Sequence, residues 1–379
     1  MKILLDARLL FSGVHTGIEE YTLNLFSKLF EIDEKNRYQI FTNGWHTFKL
    51  PRAWRKIPSV NWGVPNRLLD VSFRLLSFPK VDRLARADLY FSPHFNLLKF
   101  TSRARRIITI HDLSFVRFPL FFPRGKRLWH AAQDVRHQVE RACHLIAVSE
   151  ATKQDLISLW NVPKENISMI HSGISPRYQA LPSHDFILTR FRVEKNLTKP
   201  FMLYVGTIEP RKNVLGALEA FHLLKRKPAY RDFGFVVAGR LGWLYGDVVK
   251  AFRESPYRNT IRFWGPASKE DVLMLYNTAA VFVYPSFYEG FGFPPLEAQA
   301  CGCPVVASTG GSLPEVLGAS ALLADPHRSD KLAEAIDVVL SRNGEAERLR
   351  IAGFANIARF SWETAARKTL ACFESVRKQ

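Results

Sequence analysis

Two glutamates separated by seven residues stand in the segment SFYEGFGFPPLE, with Glu289 in its glycine-rich first half and Glu297 at its end. The prolines between them predict a helix start, because the N–H groups of a first helical turn have no intrahelical partner to lose. Glu297 then lies about one turn into that helix, and both carboxylates can face one pocket from different heights. A carboxylate accepts hydrogen bonds from paired hydroxyls, so the pattern favours binding of a sugar or a ribose. An acidic residue that suits the helix dipole is the structural alternative for Glu297.

Two adjacent cations, Arg211 and Lys212, follow a predicted strand in the segment EPRKN. The helix dipole disfavours positive charge at a helix start, so helix stability does not explain them. A diphosphate bound at this point would be neutralised by both side chains, which could also stabilise it as a leaving group. The competing interpretation is a solvated turn.

Two further candidates lie in the first half of the chain. His111 directly follows the predicted strand 106–110, where an imidazole can hydrogen-bond a sugar hydroxyl or act as an acid or base. A histidine held by local backbone is the alternative. Gly13 and Gly17 bound the loop GVHTG before the first predicted helix, where backbone N–H groups can approach a phosphate. A plain strand-to-helix turn explains these glycines equally well.

The remaining motifs favour structure over metal chemistry. The turn STGGSLPE over 308–315 is interpreted as a capped helix start, with Ser312 as N-cap and Glu315 in the capping-box position. The sequence has no D-x-D pair, no HExxH motif and no His/Cys cluster with metal-ligand spacing. We therefore expect no metal and no cofactor beyond the substrates.

Short apolar runs alternate with helical stretches along the chain, which is typical of βαβ units and parallel sheets. The alternation stops between residues 172 and 200, a stretch with three prolines, and restarts at Phe201. We therefore predict an α/β fold of two doubly wound, Rossmann-like domains, 1–178 and 179–360, with ligands at the carboxyl ends of the strands. The last helix, within 361–379, can pack back on the first domain.

The composition excludes several classes of protein. The 379 residues are 47% hydrophobic and 13% aromatic, which fills two cores and excludes a disordered, collagen-like or disulfide-scaffold chain. The apolar run before Asp6 at the N-terminus is only three residues long, 3–5, so we expect no secretory leader. No apolar run reaches the length of about 18 residues needed to span a membrane. We expect a cytoplasmic protein.

The positive charge is concentrated in one quarter of the chain. The formal net charge is +18, and residues 45–141 hold 19 basic and 6 acidic side chains, a net of +13. Within this region, aromatic and basic residues alternate over 115–129, a composition that can rest on anionic lipid headgroups at the inner face of the membrane. Packed aromatics beside solvated cations are the alternative. Nucleic-acid binding is the main rival outside enzymes, although no helix-turn-helix, RRM, KH or zinc-finger pattern occurs.

The chain contains the segments GVHTG, His111-Asp112, EPRKN and GFGFPPLEAQACGCPVV, in this order and over nearly its whole length. Together these segments resemble the family 4 (group 1) retaining glycosyltransferases of GT-B fold. The resemblance implies two domains facing a cleft. The C-terminal domain would mainly hold a nucleotide-sugar donor, and the N-terminal domain would mainly hold the acceptor. The resemblance also implies retention of the anomeric configuration without a metal.

The resemblance implies roles for single residues. Glu289 would contact the donor sugar, and Glu297 the ribose hydroxyls. Arg211 and Lys212 would bind the diphosphate and stabilise its departure, while His111 would contact the donor sugar from the other domain. The first loop departs from the family's common double glycine, since His15 stands between its glycines. The other donor-binding positions implied are Gly13, Gly17, Gly290, Gly292 and Phe293.

The residues of these motifs are most similar to those of bacterial mannosyltransferases that assemble surface polysaccharides, including lipopolysaccharide. This implies GDP-mannose as donor and a glycan or lipid-linked saccharide as acceptor. Rhamnosyl or glucosyl transfer from a dTDP- or UDP-sugar is the alternative within the family. A basic protein that binds nucleic acid or a membrane surface without catalysis is the alternative of another class.

Overall fold

The computed structural model describes residues 1–11, 17–44, 51–182 and 185–378. They form two compact units, which are described separately. The first unit contains Met1–Leu113, Arg124–Gly173 and Ser361–Gln379, and the second contains Ser114–Pro123 and Ile174–Phe360. The segments 114–123 and 361–379 therefore each belong to the unit formed mainly by the other half of the sequence.

Each unit is built on a sheet of parallel strands, which confirms the predicted α/β fold of two Rossmann-like domains. The strands are short and rich in buried apolar residues, as parallel strands covered on both faces must be. The strands are β1 (Lys2–Asp6), β2 (Arg37–Thr42), β3 (Ser59–Asn61), β4 (Leu89–Ser92), β5 (Arg106–Ile110), β6 (His144–Ala147), β7 (Ile167–Met169), β8 (Phe201–Val205), β9 (Gly234–Ala238), β10 (Ile261–Gly265), β11 (Val281–Tyr284), β12 (Val305–Ser308) and β13 (Leu322–Ala324).

Helices connect these strands and cover the sheets. They are α1 (Gly17–Ile32), α2 (Asn66–Leu75), α3 (Val81–Ala85), α4 (Ser114–Arg117), α5 (Arg124–Ala132), α6 (Val135–Glu140), α7 (Glu150–Trp160), α8 (Phe186–Glu194), α9 (Val214–Lys225), α10 (Gly246–Glu254), α11 (Lys269–Thr278), α12 (Phe293–Ala300), α13 (Leu313–Leu317), α14 (Ser329–Ser341), α15 (Glu345–Ile357) and α16 (Trp362–Lys378).

The strand order places a crossover in the middle of each sheet. The described strands run β3-β2-β1-β4-β5-β6-β7 in the first unit and β10-β9-β8-β11-β12-β13 in the second. The crossover lies between β1 and β4 in the first sheet and between β8 and β11 in the second. Every residue of β4 and β11 is buried, so both crossovers lie in the cores. In open α/β sheets the crevice at such a crossover, beyond the carboxyl ends of the strands, is the usual ligand site.

The last helix, α16, packs within the first unit against α1 and the sheet. The Trp362 ring lies 5.8 Å from that of Tyr21, and the Phe373 ring lies 5.3 Å from that of Phe91. Gly173 allows the chain to pass here, since a Cβ at this position would lie 2.2 Å from the Trp362 backbone nitrogen. The C-terminal helix is therefore a structural part of the first unit.

The segment 114–123 packs in the second unit through its aromatic rings. The Trp243 indole N–H also donates to the carbonyl of Phe121 at 2.7 Å. These aromatic residues are therefore engaged in protein packing, the alternative interpretation of the aromatic residues in 115–129. The stacked or tilted pairs, with ring centroids 5.4–5.7 Å apart, are Phe118–Tyr288, Phe121–Phe287 and Phe122–Trp243.

Candidate functional site

The loop that carries Glu289 connects β11 to α12 in the second unit. Gly292 is the residue before α12 and has φ +93°, a left-handed conformation that glycine adopts without strain. Prolines occupy the first turn of α12, as the sequence predicts. This start of the helix fixes the direction in which the preceding loop, with Glu289, leaves the strand.

A second turn, after β12, supports the Glu289 loop from behind. Gly311 has φ +61°, and a Cβ there would lie 2.3 Å from the carbonyl oxygen of Glu289. The Ser312 N–H donates to the same carbonyl at 2.9 Å, and its hydroxyl donates to the Phe291 carbonyl at 3.0 Å. Ser312 is the N-cap residue of α13 as predicted, but its side chain makes no capping hydrogen bond because its hydroxyl holds the Glu289 loop instead.

Arg211 and Lys212 lie in a single 3-10 turn, Pro210–Lys212, between β8 and α9. Asn213 ends this turn in the left-handed region and caps α9, its side chain accepting from the Gly216 N–H at 3.2 Å. The carbonyl of Arg211 accepts from the Phe287 N–H at 2.8 Å. Since β8 pairs directly with β11, the two loops leave neighbouring strands at the crossover of the sheet.

These two loops bring the predicted cations onto Glu289. Lys212 Nζ donates to Glu289 Oε1 at 2.6 Å, and Arg211 donates to Glu289 Oε2 at 3.0 Å. The guanidinium also bonds the Tyr288 carbonyl at 2.8 Å. The side chains of Arg211, Lys212 and Glu289 are 14%, 12% and 7% exposed. Hydrogen bonds between ionised side chains at these distances are charge-assisted, so they are stronger than bonds between neutral groups and fix the geometry of the side chains.

Two further residues of this cluster were missed by the sequence analysis. Glu209, which is 4% exposed, accepts from Arg211 at 3.0 Å, so Arg211 bridges two carboxylates. The Tyr284 hydroxyl accepts from Lys212 Nζ at 2.7 Å. Glu209 lies within the EPRKN motif after β8, and Tyr284 is the last residue of β11. This position at the carboxyl end of a strand was the sequence signal that could have identified both residues.

Two opposing effects determine the pKa values in this cluster, which are burial and the opposite charges of the neighbouring side chains. Burial raises the pKa of the Glu289 carboxyl, but Lys212 and Arg211 outweigh it and hold that pKa at about 2. Burial lowers the pKa of Lys212, and the Glu289 carboxylate opposes that shift. At neutral pH Lys212 and Glu289 therefore form an ion pair, and the carboxylates of Glu289 and Glu209 hold the two cations in place.

Glu297 lies in α12 and rests on different partners from those of Glu289. It is partly buried and accepts a hydrogen bond from the Tyr276 hydroxyl at 3.1 Å. Burial, reinforced by the Glu297 carboxylate, raises the pKa of this tyrosine well above its usual value, so Tyr276 stays protonated and donates. The structure thus places both glutamates on the loop–helix segment, each held in a separate hydrogen-bonded setting.

His111 belongs to the first unit and follows β5 as predicted. Its Nε2 lies 2.8 Å from the carbonyl oxygen of Pro93, an acceptor, so Nε2 carries the proton and Nδ1 is left as an acceptor. The Tyr21 ring packs edge-on at 4.8 Å. Burial lowers the His111 pKa to about 4, so the ring is neutral at physiological pH. It can accept a hydrogen bond from a hydroxyl.

The predicted donor-binding glycines do not all lie in one unit of the structure. Gly13 lies outside the described residues, and Gly17 is the exposed first residue of α1 in the first unit. Gly290, Gly292 and Phe293 lie in the Glu289 loop and at the start of α12, with Phe293 partly exposed. Of the predicted donor-binding residues, the second unit therefore brings together Arg211, Lys212 and the segment from Glu289 to Glu297.

The described part of the chain contains neither a metal-binding cluster nor a helix that could span a membrane. Within it, no group of three or more His, Cys, Asp or Glu side chains is arranged to hold a metal ion. None of its helices combines the length and apolar character needed to cross a membrane.

Family models match both halves of the chain. The model described as "Glycosyltransferase Family 4" matches residues 15–178, and the model described as "Glycosyl transferases group 1" matches residues 185–355. O-antigen chain mannosyltransferase B from Escherichia coli is 31% identical over 377 residues, 95% of this chain and 96% of that protein. Serotype-specific mannosyltransferase WbdA, also from Escherichia coli, is 28% identical over 231 residues, 60% of this chain but 28% of that protein.

Solved structures show the same architecture at low identity. A sucrose-phosphate synthase from Thermosynechococcus elongatus has a TM-score of 0.77 and 19% identity, covering 100% of this chain and 99% of that one. WaaG, a glycosyltransferase involved in lipopolysaccharide biosynthesis, has a TM-score of 0.72 and 14% identity, covering 97% and 98%. The predicted GT-B fold is confirmed by these likenesses, and the predicted hexosyltransferase class by the family matches. The sequence relationship over 95% of its length shows that the chain belongs to the family 4 (group 1) glycosyltransferases.

Proposed function

We propose that this protein is a retaining, metal-independent mannosyltransferase that uses GDP-mannose and extends a glycan or lipid-linked saccharide of a bacterial surface polysaccharide. The observation that carries the proposal is the cluster of Arg211, Lys212 and Glu289 at the crossover of the second sheet. The choice of mannose is supported by the 31% identity to an O-antigen chain mannosyltransferase over nearly the full length.

The leaving group is the nucleoside diphosphate. When the donor binds, its diphosphate oxygens take over N–H donors of Arg211 and Lys212 that Glu209 and Glu289 hold in the free protein. As the bond between sugar C1 and the phosphate oxygen breaks, these two cations stabilise the charge that develops on the diphosphate. They supply the role that a divalent cation would otherwise have, which is the physical basis of the proposed metal independence.

The new bond forms on the face from which the diphosphate departs. The acceptor hydroxyl attacks C1 there and passes its proton to the leaving phosphate oxygen, so the anomeric configuration is retained without a protein nucleophile. Glu289, deprotonated because its pKa is about 2, accepts hydrogen bonds from donor-sugar hydroxyls and does not transfer a proton. In the same way neutral His111 accepts a hydroxyl hydrogen bond at Nδ1.

Nucleoside recognition is assigned to α12 and the loop before it. Glu297 accepts from the ribose hydroxyls, while Tyr276 holds its second oxygen. Gly290, Gly292 and Phe293 offer backbone N–H groups to the sugar or the phosphates. Gly13 and Gly17 would approach the donor or acceptor from the first loop. The reaction takes place in the cytoplasm at the inner membrane face, and nucleic acid is not a partner.

Donor binding tests this assignment directly. Thermal unfolding is measured with GDP, UDP, dTDP and ADP and their sugars, for the wild type, Glu297→Ala and the exposed-site control Glu254→Ala. A nucleotide present at 100 times its Kd adds about 2.7 kcal/mol to the free energy of unfolding. We expect a GDP-selective shift that Glu254→Ala keeps and Glu297→Ala loses. A UDP- or dTDP-selective shift would show that the donor carries that nucleotide instead of GDP. The absence of a shift with any nucleotide would contradict the role of Glu297 in binding the ribose.

The reaction itself is tested with GDP-mannose and a mannose-terminated acceptor in excess EDTA. We expect transfer to continue in EDTA. We also expect the one-bond C1–H1 coupling constant of the transferred mannose, measured by NMR, to indicate the same anomeric configuration as in the donor. Loss of activity with EDTA and recovery with Mg²⁺ or Mn²⁺ would contradict metal independence. An inverted product would contradict front-face attack.

A further inference from the structure

The first unit contains a cavity of about 280 Å³ whose lining does not include His111. The volume is at the lower end of ligand pockets and holds a phosphate group with the first atoms of its ester substituent. None of its lining residues is acidic. Its basic lining residues are Lys80, Lys99, Arg106, His137 and Arg141.

Arg106 gives this cavity a buried positive charge. It is 4% exposed and donates to Gln138 Oε1 at 2.7 Å and to Ser92 Oγ at 3.1 Å, both neutral groups. Asp6, the acid whose charge acts on it, is already paired with Arg8 at 2.8 Å. Burial without a carboxylate partner lowers the Arg106 pKa to about 9, so the side chain remains a cation and an anion in the cavity would offset its desolvation.

The other charged groups around the cavity leave this excess in place. Within the described residues no carboxylate forms an ion pair with Lys80, Lys99 or Arg141. Asp134 pairs with His137 at 3.3 Å. Asp82 accepts from the backbone N–H of Thr101 at 2.9 Å and from its hydroxyl.

An exposed apolar surface begins at the edge of the same cavity. On α2, the buried face carries Leu69 and Phe73, while a second apolar row faces solvent at spacings of three and four residues. The turn after α2 continues this surface on both sides of Ser77, which lines the cavity. We call these side chains the α2 apolar surface, and they are 49–78% exposed: Leu68, Val71, Leu75, Leu76 and Phe78.

A cationic cavity bordered by exposed apolar side chains matches one kind of surface, a bilayer with anionic headgroups. We propose that the cavity binds the phosphate of an anionic phospholipid through Lys80, Lys99, Arg106 and Arg141, while the α2 apolar surface enters the acyl boundary. This places membrane attachment on α2 and the segment after it, and it holds whichever donor and acceptor the enzyme uses.

Flotation of the full chain with phosphatidylglycerol-containing and pure phosphatidylcholine vesicles tests the proposal. Each lysine near an anionic surface contributes about a five-fold factor in binding, so Lys80→Gln with Lys99→Gln is expected to lower partitioning by about 25-fold. The control Arg52→Gln with Lys56→Gln removes two exposed charges from the same basic region outside the cavity. Leu75→Ser with Phe78→Ser is expected to weaken binding, and Phe186→Ser with Val193→Ser, exposed elsewhere, is not.

The outcomes separate the cavity from general electrostatics and from free phosphate. Equal losses in the two charge variants would show diffuse attraction and overturn the proposal, as would absence of the wild type from anionic vesicles. Thermal unfolding is also measured with inorganic phosphate for the wild type and the Lys80/Lys99 variant. A phosphate-dependent shift without vesicle binding would assign the cavity to a free anion and overturn the lipid assignment. Unchanged melting temperatures without ligand show that the variants are folded.

Discussion

Lys212 Nζ lies 2.6 Å from Glu289 Oε1 although the two residues are 77 positions apart in the sequence. They meet because β8 and β11 are neighbours in the second sheet, so the loops after both strands open at one edge. Arg211 joins the same carboxylate and Glu209. The two cations are thus held at the place where a parallel sheet usually binds ligands, and the carboxylates of Glu289 and Glu209 fix their orientation in the free protein.

The substitution Glu289→Gln separates sugar contact from diphosphate binding. It keeps the side-chain shape but removes the charge that holds both cations. We expect the transfer rate to fall by at least about 100-fold, while the Kd for the free nucleoside diphosphate stays equal or decreases, because Arg211 and Lys212 are released to it. Steady-state kinetics and isothermal titration calorimetry measure these two quantities.

The matched control is Glu209→Gln, which removes the other buried carboxylate on Arg211. It is expected to tighten diphosphate binding in the same direction but to lower transfer less, because Lys212 keeps its contact with Glu289. Equal transfer rates in the two variants would contradict a contact between Glu289 and the sugar.

The same pair predicts a dependence of stability on acid pH. The Glu289 pKa is lowered from 4.5 to about 2, so its ionised form stabilises the fold above pH 4.5 and this contribution is lost as pH falls towards 2. The shift corresponds to about 3 kcal/mol. Urea unfolding of the wild type and Glu289→Gln at pH 6, 4 and 3 should show a difference that shrinks only below pH 4.5. A difference that is constant down to pH 3 would contradict the ion pair.

Arg211→Lys tests the forked geometry of the guanidinium, which bonds Glu289, Glu209 and the Tyr288 carbonyl together. A lysine keeps the charge but cannot make these parallel contacts. We expect the Kd for the nucleoside diphosphate to rise by at least about ten-fold and the Kd for the corresponding nucleoside to stay unchanged. Calorimetric titration with both ligands is the measurement, with Arg253→Lys, exposed on α10, as control. Equal weakening of both ligands would indicate disruption of the nucleoside site instead.

The sequence predicted much of the fold and of this site, for physical reasons that differ by residue. Alternating apolar runs reveal βα units because buried parallel strands need them, and the prolines before Glu297 mark the start of α12 in the chain itself. The partnership of Glu209 with Arg211 was missed because a carboxylate inside a basic motif is indistinguishable from a solvated one. The packing of 114–123 in the second unit was missed because alternating aromatic and basic residues describe an exposed surface equally well.

His111 predicts a second pH window, nearer to neutrality. Burial lowers its pKa from 6.5 to about 4, so the neutral ring stabilises the fold fully above pH 6.5 and this contribution is lost as pH falls towards 4. Between pH 7.5 and 4.5 the wild type should lose about 2.5 kcal/mol more than His111→Gln. Urea unfolding at both pH values measures this, with His327→Gln, exposed in the second unit, as control. Parallel losses in wild type and His111→Gln would contradict burial of a neutral ring.

Gly311→Ala tests whether the turn after β12 positions Glu289. Its Cβ would lie 2.3 Å from the Glu289 carbonyl oxygen and 2.7 Å from its nitrogen, so the Glu289 loop must move. Gly344 has a similar positive φ, +80°, but open space around it. Gly344→Ala should therefore cost only the left-handed strain, about 1 kcal/mol, with unchanged transfer. Gly311→Ala should cost more and lower transfer by at least about ten-fold, because displacement of the loop separates Glu289 from Lys212. If both variants lose the same stability and retain full transfer, the turn does not position the carboxylate.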